Sequence, residues 1–480
     1  MKTSTTFIRN LAVFALVFVG CTTVFAQQGR NINFLRVVPQ SGYINPAIVP
    51  PYNFYIGLPA LSSLKIEMKN TPFHYQDIVK TRSDDSLYLD TQALLGSLKN
   101  KNYLLAEFED EIISFGFRVQ KAFITVNLSE KINCDVMYPK EFMSLLINGN
   151  AQYLGESVNA GGFDINVTHY EELALGLSYM INDQFTAGFR AKYLVGIANV
   201  DTKSTDINLY SPDEFSMTVS TDLEINTSLP GTVPGVDSLG FTIDGQEYIH
   251  GLTSFDNTGF AFDFGAQYIM NEKLTLGLSV TDLGYINWKT GVRNIVTDKA
   301  TSSYTYQGID IGRMFTDSTK FEDQINEVID SLKENLGLRV TYEKYRSSLV
   351  PKIYLSGIYS LTPKDHFGGL FRMDIFKGNL LPSLSLNYTR EFGKAFSLMG
   401  GYTIATDSYT NIALGFAVNA GPVQLYLLTD NILGIAQLTT TKYSNTHFGI
   451  NLVFGRSQWY NKTTKTPKSP EIQDPVETEE

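Results

Sequence analysis

Apolar side chains alternate with small or polar ones over much of the chain between residues 111 and 454. Leu173, Leu175, Leu177 and Tyr179 lie on one side of an extended backbone, with Ala174, Gly176 and Ser178 on the other. The zigzag returns as Leu274, Leu276, Leu278 and Val280 against Thr275, Gly277 and Ser279, and as Ile412, Leu414, Phe416 and Val418 against Ala413, Gly415 and Ala417. It recurs last as Phe448, Ile450, Leu452 and Phe454 against Gly449, Asn451 and Val453. Each run predicts a β-strand with one apolar face.

Several of the opposite faces carry charge in mid-strand. Arg118 opposes Phe115 and Phe117, and Arg190 and Lys192 oppose Phe189, Ala191 and Tyr193. Asp263 opposes Phe262 and Phe264, and Arg372 and Asp374 oppose Phe371, Met373 and Ile375. A secreted sandwich would bury the apolar face and wet the charged one. A membrane barrel inverts this, with the apolar face toward lipid and the polar face toward the lumen.

Three features favour the barrel. Short turns join many runs, at Asn182-Asp183-Gln184, Asn271-Glu272, Pro363-Lys364-Asp365, Gly393-Lys394 and Ala420-Gly421. Long connections alternate with them, near 130–170, 198–257, 283–337 and 430–445. Tyr179, Tyr268, Tyr359, Tyr388 and Tyr402 fall near strand ends, where an interfacial girdle would lie. The reading is an all-β chain, a transmembrane antiparallel β-barrel of about 14 strands. One short amphipathic helix is expected in a connection over 318–337, from Phe321, Ile325, Val328, Ile329, Leu332 and Leu336 with Gly337 as its stop. Strand parity puts it on the periplasmic side, with Ser303–Gln307 descending and Leu338–Arg346 ascending.

The ends divide the chain further. Lys2, Arg9 and the apolar run Leu11 to Val19, followed by Val24-Phe25-Ala26, have the layout of a cleaved signal peptide over 1–26. A lipoprotein signal ending at Cys21 is the rival. Residues 27–52 then precede the barrel at 53–456, and 457–480 form a polar, disordered periplasmic tail. Cleavage leaves a single thiol, Cys134, so no internal disulfide is available. The chain has 49 acidic and 38 basic side chains. No basic excess exists to neutralise phosphates, which excludes nucleic acid as a partner. A mean hydropathy of −0.07 is too low for a bundle of membrane helices.

Pro39-Gln40-Ser41-Gly42-Tyr43-Ile44 leads into Asn45-Pro46-Ala47 close to the expected mature N-terminus. This resembles the hatch motif of FadL-like and PorV-like outer-membrane barrels. The stretches Gly277 to Lys289, Lys352 to Gly357 and Phe448 to Gly455 resemble a Bacteroidota outer-membrane protein family of uncharacterised function. The resemblance implies a bacterial outer-membrane barrel with 14 strands and a plug over 27–52, turning at Asn45, Pro46 and Ala47. FadL-like barrels pass hydrophobic compounds; PorV-like ones serve secretion and surface attachment. An ordinary Asn-Pro turn into the first strand is the alternative for the motif.

Catalytic chemistry is not legible. The five histidines (His74, His169, His250, His366 and His447) form no HExxH or metal-ligand spacing, and no nucleophile elbow or phosphate loop is present. No catalytic residue, metal or cofactor is therefore expected. Arg118, Arg190, Lys192, Asp263, Arg372 and Asp374 are the lumenal candidates, either as an interior salt-bridge network or as selectivity determinants. The expected partners are outer-membrane lipid together with a hydrophobic small molecule. The alternative is a non-transporting barrel that docks a secretion or surface-assembly protein.

Overall fold

The computed structural model describes residues 30–456, apart from 214–215, 231–253, 298–302, 307–333 and 406–407. The predicted signal peptide and tail lie outside these residues.

Fourteen antiparallel strands close into a barrel. β1 is Tyr52–Gly57 with Leu64–Asn70, β2 Lys101–Val119, β3 Ala122–Pro139, β4 Asp164–Met180 and β5 Phe185–Tyr210. β6 joins Met217–Ser228 to Asn257–Ile269, and β7 runs through Leu274–Trp288, Val292–Val296 and Ser303–Tyr306. β8 runs through Arg339–Thr341, Tyr345–Ser348 and Lys352–Thr362. β9 is Asp365–Phe376, β10 Asn379–Phe392, β11 Phe396–Ala405, β12 Ser408–Ala420, β13 Val423–Thr429 and β14 Tyr443–Arg456. The ring closes where Phe54 lies opposite Phe454 and Leu64 opposite Phe448.

The inside-out pattern holds. Leu175, Phe264 and Leu386 are 57%, 50% and 57% exposed, while their neighbours Ala174, Asp263 and Ser385 are buried. Closure leaves no unpaired strand edge in hydrocarbon, and the apolar exterior supplies the lipid contact. The protein is a barrel of the bacterial outer membrane. Turn chemistry follows the sequence: Asn182 Oδ1 accepts from the backbone N–H of Gln184 and Phe185, and Asn271 Oδ1 from those of Lys273 and Leu274. Gly393 and Gly421 take φ of 69° and 63° in two more short turns.

Two expectations are corrected. The connections near 130–170 and 198–257 are shorter than expected, because β3, β5 and β6 continue through Pro139, Tyr210 and Met217–Ser228. Beyond the membrane a strand no longer needs an apolar outer face, so Thr202–Tyr210 shows no regular alternation. The 318–337 connection also leaves from the other side. Arg339–Thr341 descends antiparallel to Asn294–Val296, in series with Lys352–Thr362, so the chain does not reverse between them. That connection therefore starts and ends at the long-loop end. Of the helix expected there, Phe321 to Leu332 lie outside the described residues; Gly337 has φ 59°, the left-handed conformation of a helix stop.

Residues 30–51 enter the lumen and fill it from the short-turn end. Ile32, Phe34, Leu35, Val37 and Val38 pack on Tyr354, Leu370, Met399, Tyr426 and Leu428 of the inner wall. At the long-loop end the wall closes on itself. Phe376 at the tip of β9 packs with Tyr103, Leu105 and Met137 from β2 and β3 on the far side. Beside it Lys377 Nζ reaches Asp201 Oδ1 at 3.1 Å.

Candidate functional site

The N-terminal segment is seated at three points. Asn45, Pro46 and Ala47 sit against glycines of the inner wall. A Cβ on Gly188 would lie 2.1 Å from the Pro46 carbonyl carbon, and one on Gly265 2.2 Å from Asn45 Oδ1. The inward small residues thus form a trough that lets backbone approach backbone. Asn45 Oδ1 accepts from Ala47 N at 2.9 Å, which makes the turn, and Asn45 Nδ2 donates to Ala266 O at 3.1 Å and Leu278 O at 3.4 Å. Ser178 Oγ donates to Pro46 O at 2.5 Å, and Ser279 Oγ to Ile44 O at 2.7 Å. Asn45→Ala removes three of these bonds and should loosen the seat by about 1–3 kcal/mol. Faster proteolysis within 30–51 of the folded protein is the check; wild-type protection would contradict it.

The other two seats are buried carboxylates of the wall. Glu111 accepts from Gln40 Nε2 at 3.1 Å, Ser62 Oγ at 2.6 Å and the Tyr43 hydroxyl. Burial, reinforced by the Glu111 charge, pushes the Tyr43 hydroxyl well above its ordinary pKa, so it remains a donor. The Arg190 guanidinium lies 4.5 Å from the centre of the Tyr43 ring. Asp430 accepts from Asn31 Nδ2, while Asn387 Nδ2 donates to Asn31 Oδ1 at 2.8 Å.

Above this segment four lysines and four carboxylates alternate around a closed loop of ion pairs. Lys65 Nζ bridges Glu107 (2.8 Å) and Glu109 (3.5 Å), and Lys131 Nζ bridges Glu109 (3.5 Å) and Glu172 (3.0 Å). Lys192 Nζ bridges Glu172 (3.5 Å) and Asp282 (2.6 Å), and Lys352 Nζ bridges Asp282 (3.0 Å) and Glu107 (3.5 Å). The last bridge runs from β8 to β2 and so crosses the lumen. Asp263 joins as a spur, 2.8 Å from Lys192 and 3.4 Å from Arg190. A cavity of about 60 Å³ remains, lined by the ring residues other than Glu172 and by Gln40, Tyr43 and Ile44. It has room for a few waters and not for an organic ligand.

Of the six lumenal candidates, Arg190, Lys192 and Asp263 meet here. Arg372 and Asp374 pair with each other beside the ring, Asp374 lying opposite Lys352 across the β8–β9 ladder. Arg118 stands apart, donating to Pro50 O at 3.2 Å near the short turns. Sequence reasoning missed Lys65, Glu107, Glu109, Lys131, Glu172, Asp282 and Lys352. Lys131 and Glu172 were findable, since each continues an inward face (Asn127, Ser129; Ala174, Gly176). Asp282 and Glu109 were not. Alternation from Val280 and from Ile113 points both toward lipid, but register shifts beside Asp263 and between Glu111 and Ile113 turn them inward. Asp282 takes φ 61° at its shift.

His366 Nδ1 lies 2.9 Å from Ser360 Oγ inside the short-turn mouth. The neighbouring Asp365 is engaged with Thr362, Tyr388 and Arg390, so it does not orient the imidazole as a triad acid would.

Residues 46–430 match a family of unknown function, DUF5723. The chain belongs to this family. No curated protein matches it. Among solved structures, this DUF5723 protein is similar to the Ralstonia pickettii toluene transporter TbuX at 8% identity, covering 87% of this chain and 94% of that one with a TM-score of 0.39. A FadL homologue of Pseudomonas aeruginosa matches at 10% identity, with 87% and 94% coverage and a TM-score of 0.39. The translocator domain of the autotransporter NalP from Neisseria meningitidis matches at 7% identity, with 88% and 95% coverage and a TM-score of 0.32. Likeness at this level adds nothing to the strand pairing, which establishes the DUF5723 barrel by itself.

Proposed function

We propose that the protein is a closed outer-membrane barrel that docks a secretion or surface-assembly partner and does not conduct hydrophobic compounds. The observation that carries this is the alternating ring of Lys65, Glu107, Lys352, Asp282, Lys192, Glu172, Lys131 and Glu109 across the lumen. An apolar solute crossing it would have to part desolvated ion pairs and supply nothing in return. Two further closures support the reading, the seated N-terminal segment below and the Phe376 contact above. The long-loop end is built up well past the membrane, β5 alone having 26 residues where about 9–11 suffice to cross.

Passage of a hydrophobic small molecule, with the N-terminal segment as gate, is the second reading. It is favoured by the apolar inner wall of Leu370, Met399, Tyr426 and Leu428 that withdrawal of Ile32 to Val38 would bare. Proteoliposomes holding the full chain separate the two. Docking predicts uptake of a fluorescent long-chain fatty acid at the rate of protein-free vesicles. Saturable uptake, abolished by covalently locking residues 30–51 in place, would establish passage instead.

A further inference from the structure

We infer that the outer wall of β1–β4, above the membrane, receives a protein partner whose apolar surface is flanked by Lys or Arg side chains. The inference rests on the docking reading and names its surface.

β2, β3 and β4 have 19, 18 and 17 residues, whereas crossing takes about 9–11. Their short-turn halves face lipid with residues such as Phe115 and Phe117, Val126 and Leu128, and Leu175 and Leu177. At the end of that stretch Asp110, Glu130 and Glu171 stand side by side on the outer face, Asp110 opposite Glu130 and Glu130 opposite Glu171. Three carboxylates are costly against acyl chains, so this row marks the limit of the hydrocarbon.

A wall that continues into water is expected to turn polar on its outer face, as β14 does with Thr446 and Ser444 after Phe448. Here apolar residues resume. Ile66, Phe108 and Ile132 align in the next outward row, which His169 ends on β4, and Met68, Ala106, Cys134 and Val167 in the one after. Met68 and Ile132 are 44% and 37% exposed. An apolar panel outside the bilayer and rimmed by charge is the signature of a protein contact.

The rim states the partner's charge. Glu130 is paired with His169 at 2.8 Å, and among the described residues no Lys or Arg pairs with Asp110, Glu130 or Glu171. Cationic side chains from outside would answer this uncompensated charge, whereas lipid phosphates would be repelled.

The test places a photo-crosslinking residue at Ile132 in the full chain in its native membrane, with Leu87 in the β1–β2 connection and lipid-facing Leu386 as comparison sites. The expected result is one protein adduct at Ile132, about tenfold above Leu386 and reduced about tenfold by Glu130→Lys with Glu171→Lys. Heat-modifiable gel mobility confirms that the variant is folded. Should the Lys pair fail to assemble, Glu130→Gln with Glu171→Gln is expected to lower the yield about threefold. A lipid-only adduct, or a protein adduct indifferent to these changes, overturns the inference. An adduct at Leu87 and none at Ile132 overturns this surface and leaves docking standing; none at either site overturns both.

Discussion

A Lys192→Met chain is expected to lose about 3–5 kcal/mol of stability, the cost of stripping one partner from a buried ionic network. Lys192 Nζ lies within 3.5 Å of three carboxylates, Asp282, Asp263 and Glu172. Without it, the ion pairs that Glu107, Glu109, Glu172, Asp263 and Asp282 keep in and beside the ring are with Lys65, Lys131, Lys352 and Arg190. Adding Asp263→Asn restores the balance and should recover part of the loss, a coupling of about 0.5–3 kcal/mol. Equilibrium urea unfolding from lipid vesicles measures both. A single variant within 1 kcal/mol of wild type would mean that water screens the ring, and the closed lumen would lose its main support.

Gly188→Val is expected to unseat the N-terminal segment while leaving the barrel closed. The new Cβ would lie 2.1 Å from the Pro46 carbonyl carbon and 2.3 Å from Ala47 N, both backbone atoms that cannot swing aside. Overpacking of this kind costs about 1–3 kcal/mol, and valine itself suits a strand, so the turn should give way before the wall. Cleavage within 30–51 should accelerate about tenfold, as a loss of about 1.4 kcal/mol implies when local opening precedes cleavage. Gly400→Val, where a Cβ meets nothing within 4 Å, should be silent. Protection equal to wild type in Gly188→Val would remove the trough as the seat of the motif.

The fates of particular residues show what could be read in advance. Arg190, Lys192 and Asp263 were visible as lumenal because each interrupts an apolar run without breaking its period. Their common location was not, since they lie on β5 and β6 and meet Lys131, Glu172, Asp282 and Lys352 from β3, β4, β7 and β8. The direction of the 307–338 connection was misjudged for a related reason. The reversal assumed between Leu338–Arg346 and the strand from Lys352 does not exist, because Arg339–Thr341, Tyr345–Ser348 and Lys352–Thr362 run in one direction along the same neighbour.

Local periodicity and turn chemistry were enough to specify strands, their apolar side, the short turns and hence a lipid-facing barrel, because those choices depend on neighbours one to four residues apart. The shape of the interior required the closed cylinder. Ring closure sets residues hundreds of positions apart at ion-pair distance, and two one-residue register shifts reverse the facing of Glu109 and Asp282. Neither effect leaves a trace in alternation, so which side chains meet inside the lumen was decided by the way the wall closes around residues 30–51.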